Sequence, residues 1–179
     1  MLNRARIEIT GIVQGVGFRP FIFGLADQYG LRGWVLNNGH GVLIEAEGEE
    51  LQIEAFTKAI GQQSPPLSRI ETLSTTFLPA QGYRAFEIRE SVETEEKFTL
   101  ISPDVSTCDS CLEELYSSQD RRYRYPFINC THCGPRFTII QDIPYDRPKT
   151  TMVHFKMCHT CQEEYGQPSN RRFHAQPNA

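Results

Sequence analysis

All six cysteines of this chain fall after residue 107, in three Cys-x-x-Cys pairs: Cys108/Cys111, Cys130/Cys133 and Cys158/Cys161. This divides the chain into a cysteine-free part that must build its own apolar core and a part that metal can hold together. The segment Met1-Leu2-Asn3-Arg4-Ala5-Arg6 has no apolar signal-peptide core, and no run approaches transmembrane length. A cytoplasmic, reducing location without a membrane partner is therefore expected, where structural disulfides are disfavoured. A lone Cys-x-x-Cys is compatible with redox chemistry. Two pairs separated by eighteen residues match a tetrahedral zinc site far better. Cys108, Cys111, Cys130 and Cys133 are accordingly expected to hold Zn2+ through four thiolates.

The third pair opens a repeat. A shift of 50 residues aligns Cys108 with Cys158, Cys111 with Cys161, Glu113-Glu114 with Glu163-Glu164, Arg121-Arg122 with Arg171-Arg172 and Tyr123 with Phe173. Repetition of this kind marks duplicated modules, read here as 107–157 and 158–179. The counterpart of Cys130 would fall just beyond Ala179. The second module is therefore read as a truncated start, with Cys158 and Cys161 as an incomplete second zinc site and the segment after about 162 weakly anchored. His154, His159, His174, water or a neighbouring chain remain open as further ligands.

The cysteine-free part opens on strand-like alternation, with Ala5, Ile7 and Ile9 on one side and Arg6, Glu8 and Thr10 on the other. Gly11-Ile-Val-Gln-Gly-Val-Gly-Phe-Arg19 follows, and then Pro20, Phe21, Ile22, Leu25 and Ala26 at helical spacing up to Gly30. Glycines at 15 and 17 leave backbone N–H groups uncovered at a helix N-terminus, and Arg19 adds a guanidinium. That combination is an anion cradle suited to phosphate. It is not a dinucleotide fingerprint, because Pro20 stands where a third glycine is needed, and no Gly-Lys-Ser/Thr follows. Residues 33–36 and 42–47 read as strands around an Asn-Gly-His-Gly turn, in which His40 reads as a turn residue. Residues 51–60 read as a helix, followed by Gly61 and a Ser64-Pro65-Pro66 loop, and 68–78 and 84–90 as further strands. The order βαββαβ predicts an α+β, ferredoxin-like sandwich over 1–91. Glu93, Glu95, Glu96, Lys97 and Ser102-Pro103-Asp104 suggest a linker over 92–106, before the small zinc-finger region.

Gly15-Val16-Gly17-Phe18-Arg19 followed by Gly33-Trp34-Val35-Leu36-Asn37 strongly resembles the acylphosphatase family, over about residues 4–90. The resemblance implies hydrolysis of an acyl phosphate. Arg19 would hold the phosphate together with the loop of Gln14, Gly15, Val16, Gly17 and Phe18, and Asn37 would position the attacking water. The chemistry suits these residue types. An acyl phosphate has a good leaving group, so the task is to neutralise phosphoryl oxygens and place a water in line. Arginine offers a permanently charged planar fork, and an Asn amide holds water without acting as a base.

The segment 122–137 and Pro20-Phe21 after the loop extend the resemblance to the HypF family of hydrogenase-maturation carbamoyltransferases, across essentially the whole chain. That resemblance implies carbamoyl phosphate as substrate, split to carbamate and phosphate as the first step of carbamoyl transfer. The acceptor would be the partner protein HypE, on the way to the cyanide ligands of nickel–iron hydrogenase. The adenylation and transfer domains of that family are expected to be absent here.

A different class is a non-catalytic zinc-finger scaffold that contacts protein or nucleic acid. Arg121-Arg122-Tyr123-Arg124-Tyr125 interleaves cations and aromatics as such a surface would. From Asp104 onward, however, nine Lys and Arg face nine Asp and Glu. A phosphate-backbone binder should show basic excess, so no nucleic-acid partner is expected.

Overall fold

The computed structural model describes residues 2–92, 100, 103–125, 128 and 136–178. The alternation of the first strand is realised along β1 (Leu2–Ile12), where Ala5, Ile7 and Ile9 are buried while Arg6 and Glu8 are exposed. α1 (Phe18–Gln28) starts immediately after Gly17 and stops at Tyr29, ahead of Gly30 in the left-handed region at φ 64°. β2 (Arg32–Asn38) and β3 (Gly41–Glu49) form a hairpin. The Asn38 side-chain oxygen closes its turn by accepting from the N–H groups of His40 and Gly41, both at 2.9 Å. His40 itself is exposed, as a turn residue should be.

α2 (Glu50–Gln63) opens with Gln52 accepting from the N–H of Glu49 at 3.2 Å. It runs past Gly61 to the Ser64-Pro65-Pro66 loop. Glycine only weakens a helix, whereas Pro65 forces Ser64 into an extended conformation and stops it. β4 (Arg69–Pro79) and β5 (Phe86–Ile88) complete a five-stranded sheet of order β4-β1-β3-β2-β5. The last strand is shorter than the expected 84–90 and lies parallel to β2, while the other pairings are antiparallel. This is the ferredoxin-like α+β sandwich. Its core sets Ile7, Ile9, Val35 and Ile44 of the sheet against Ile22, Leu25, Ile53, Phe56 and Ile60 of the two helices. Each large side chain buried there contributes about 1.5–3 kcal/mol.

Beyond residue 103 the 50-residue repeat becomes a structural repeat. α3 (Asp109–Tyr116) and α4 (His159–Gly166) each begin directly after the first cysteine of a pair. Arg124 and His174, equivalent in the repeat, both take left-handed backbone, at φ 57° and 54°. Their N–H groups donate to Leu115 and Tyr165 carbonyls at 2.9 and 3.0 Å. The two copies then exchange side chains. Arg121 and Arg122 grip Glu164 of the second copy, and Arg171 and Arg172 grip Glu114 of the first. Burial alone would raise the Glu164 carboxyl, but the hydrogen bonds from Arg122 and Arg121 outweigh it and hold it down at about 2.

The expectation of weak anchoring after residue 162 is overturned. Phe173, Gln176 and Asn178 are buried, and Arg147 binds the carbonyls of Gln176, Asn178 and Phe155 at 2.5–2.6 Å. The Asn178 amide also donates to the Cys161 carbonyl at 2.9 Å. The tail is held by Arg147, a residue of the first module with no counterpart within the second, so repeat arithmetic does not reveal it.

Candidate active site

β1 and α1 meet at residues 13–17. Gly15 and Gly17 there take φ of 68° and 75°, which a side chain would strain. Gly17 occupies the N-cap position of α1 without a side-chain cap, and the first helical turn carries no acidic residue. The first N–H groups of any helix lack intrahelical acceptors, so this end favours an anion. Val16 and Phe18 point their side chains into the core and lock the loop against the sheet. Gln14, fully buried, ties three segments together. Its amide donates to the Asn38 and Gly41 carbonyls at 2.7 and 2.8 Å, and its oxygen accepts from the Tyr145 N–H at 3.0 Å.

Arg19 and Asn37 line one small cavity of about 30 Å³ with Gly15, Gly17 and Phe18. Asn37 is 1% exposed, and its side-chain oxygen is buried with no protein partner among the described residues. A buried amide oxygen in that state suits a small hydrogen-bonding ligand such as water. Residues 145–146 and 174–177 of the second region complete the surroundings. Arg19 donates from Nη2 to Asp146 at 2.6 Å and to the Tyr145 carbonyl at 3.4 Å, and from Nη1 to Ser91 at 3.5 Å. His174, Ala175, Gln176 and Pro177 form the opposite wall, and Phe23 of α1 packs edge-on against Phe173 at 5.5 Å. None of these wall residues was singled out for this site from sequence. The one local sign is that Pro144 and Pro148 bracket Tyr145-Asp146 and stiffen the segment.

His174 sits between Tyr165 and Phe173, with ring centroids 5.0 and 4.7 Å away. Burial first, and then the Arg19 guanidinium, push its imidazole down to about 4, with Asp146 opposing. The folded value lies below the ordinary 6.5, so the unfolded chain binds the proton more readily. His174 therefore contributes stability that is complete above pH 6.5 and lost as pH falls through about 4. His174→Asn, which tolerates left-handed backbone, should flatten the pH dependence of the urea midpoint across this window. An unchanged slope would show that the fold does not shift the titration of this imidazole.

The expected zinc ligands divide. Cys108 and Cys111 pack together at the start of α3, and Cys158 and Cys161 occupy the same place in α4. Cys130 and Cys133 lie outside the described residues. The Cys158 thiol is held below its usual value by hydrogen bonds from Cys161, the backbone contribution first, with help from Arg121. Arg121 donates to the Cys161 sulfur at 3.3 Å, and Arg171 to the Cys111 sulfur at 3.4 Å. Cationic donors aimed at sulfur suit thiolates, so the pairs fit zinc. Among the described residues no three His, Cys, Asp or Glu gather as a metal set. Of the open candidates, His174 lies at the cavity, and His159 faces Glu163 at 3.5 Å.

The family model "Acylphosphatase" matches residues 5–88, and "HypF finger" matches 107–140 and 157–179. Carbamoyltransferase HypF of Rhodobacter capsulatus is 47% identical over 175 residues, which cover 97% of this chain and 23% of that protein. The namesake from Synechocystis is 49% identical over 156 residues, 87% of this chain and 20% of that protein. The acylphosphatase of Thermotoga maritima is 36% identical over 89 residues, 49% of this chain and 98% of the enzyme. A full-length HypF crystal structure in the phosphate- and nucleotide-bound form matches all of this chain and 24% of its own, with 52% identity and TM-score 0.96. The chain thus spans about a fifth to a quarter of the curated HypF relatives named here. Among the described residues no helix is long and apolar enough to cross a membrane.

Proposed function

Since the chain belongs to the HypF carbamoyltransferase family and carries its acylphosphatase domain and finger region, we propose that residues 1–91 hydrolyse carbamoyl phosphate to carbamate and phosphate. The observation that carries this reading is the convergence of Arg19 and Asn37 on one cavity at the glycine-rich N-terminus of α1. The loop N–H groups and Arg19 would hold the phosphoryl oxygens, and Asn37 would orient a water in line with the carbamate oxygen. Water oxygen bonds to phosphorus, the phosphorus–carbamate oxygen bond breaks, and the water's proton passes to a phosphoryl oxygen. No protein base is needed, because the substrate itself accepts that proton.

On this reading the carbamate serves later carbamoyl transfer to HypE in the cytoplasm, in maturation of nickel–iron hydrogenase. Zinc in the finger region is structural. Cys108, Cys111, Cys130 and Cys133 would hold it, and four thiolates leave no position for a substrate water. The test is phosphate release by this chain from carbamoyl phosphate beside acetyl phosphate. Turnover of both with preference for the carbamoyl compound is expected. Release from neither at the rate above buffer would overturn the assignment.

A further inference from the structure

Arg19 lines two cavities, and Asp146 lines only one of them. The cradle cavity has Arg19, Asn37, Gly15 and Gly17 in its wall but not Asp146. The neighbouring, larger cavity has Arg19, Ser91, Asp146 and His174. Arg19 therefore stands between the two cavities, with the cradle on one side and the carboxylate on the other. Asp146 is itself braced, because Ser91 hydrogen-bonds its second oxygen while the first takes Arg19. The Gln14–Tyr145 bond fixes the backbone one residue earlier.

We propose that Asp146, carried by the finger region, is a positioning residue for Arg19: it grips the guanidinium from behind and aims its remaining donors into the cradle. This rests on the cradle being the acyl-phosphate site. A guanidinium has five N–H donors. Among the described residues, the contacts to Asp146, Tyr145 and Ser91 use Nη2 and part of Nη1, which leaves Nε and the rest of Nη1 for an anion. Arg19 is 7% exposed, and without a counter-charge a buried guanidinium is costly and seeks another partner. The two regions would thus share one catalytic centre, and undocking of the finger would relax Arg19.

The same geometry has an opposing effect, since a carboxylate nearby weakens the field felt by phosphate. The sign of the change on mutation decides which effect governs. Asp146→Ala should raise the Kd for inorganic phosphate and the KM for acetyl phosphate on the order of tenfold, within the roughly hundredfold that misplacement by about 1 Å can cost. kcat should change less. Asp146→Asn keeps an acceptor for Nη2 and should restore both values to within about threefold of wild type. Ser91→Ala should shift them in the same direction but less. Zinc content and melting temperature, measured on each variant, separate misfolding from misplacement.

Tighter phosphate binding by Asp146→Ala or Asp146→Asn would show that the carboxylate competes with the ligand and would overturn the proposal. So would unchanged constants in Asp146→Ala. A wild-type-like Arg19→Ala would instead defeat the acyl-phosphate reading itself. The two failures are therefore distinguishable.

Discussion

Arg19→Ala is expected to lower kcat/KM for acyl-phosphate hydrolysis by roughly 10²–10³-fold, about 3–4 kcal/mol, the scale of losing one preorganised donor to developing charge. The residue sits in the first turn of α1 and lines the cavity that Gly15 and Gly17 open. The loop N–H groups would remain, so residual binding should survive. What is lost is the one charged fork beside them, in a site where burial strengthens electrostatics. Arg19→Lys should recover little, because an ammonium keeps the charge without the planar pair of donors. Asn37→Ala should differ in kind. It should lower kcat more than it raises KM, because the amide acts on the water and the phosphoryl group is held elsewhere. The measurement is steady-state phosphate release, with melting temperatures as a control for the lost Arg19–Asp146 pair. Equal rates for wild type and Arg19→Ala would remove the cradle from the chemistry.

The parts of this site legible in sequence are those fixed by local geometry. The strand alternation of Ala5, Ile7 and Ile9 and the glycines at 15 and 17 belong to short segments whose spacing dictates their shape. A motif arginine at a helix start is visible in the same way. The partners of Arg19 are not, because Asp146 lies 127 residues away on an irregular segment without a period. The repeat shows the same limit. Its 50-residue offset correctly aligned Arg124 with His174, and both turned out to hold left-handed backbone. Yet each copy contains both the arginine pair and the glutamate that receives it. Pairing within a copy and exchange between copies are then equally consistent with the sequence. Only the approach of the two copies in the fold makes the exchange.

Removal of zinc should abolish the fold of the finger region while leaving the sandwich intact. The contrast lies in the two cores. The sandwich buries a continuous cluster that includes Ile7, Ile22, Ile44, Ile53, Phe56 and Ile60. The described cluster beside the first cysteine pair consists of Cys111 and Ile128, with Cys108 and Leu115 packed against them. Such a cluster cannot offset the conformational entropy of ordering the chain around it. Metal binding, on the order of 10 kcal/mol for structural zinc sites, supplies what the core lacks. The crossed arginine–glutamate clamps add less, since partly exposed ion pairs are typically worth about 1 kcal/mol or below. They link the copies, however, so loss of metal at Cys108 and Cys111 should also loosen α4 through Arg171 and Glu114. Hydrogen exchange during chelator titration reads this directly. Amides of α3 and α4 should lose protection as zinc leaves, while β1, β2 and β3 keep theirs. Tight zinc should number one per chain, because Cys158 and Cys161 offer two thiolates and no third ligand gathers beside them among the described residues. Native protection in α3 and α4 at zero measured zinc would show that the fold stands without its metal.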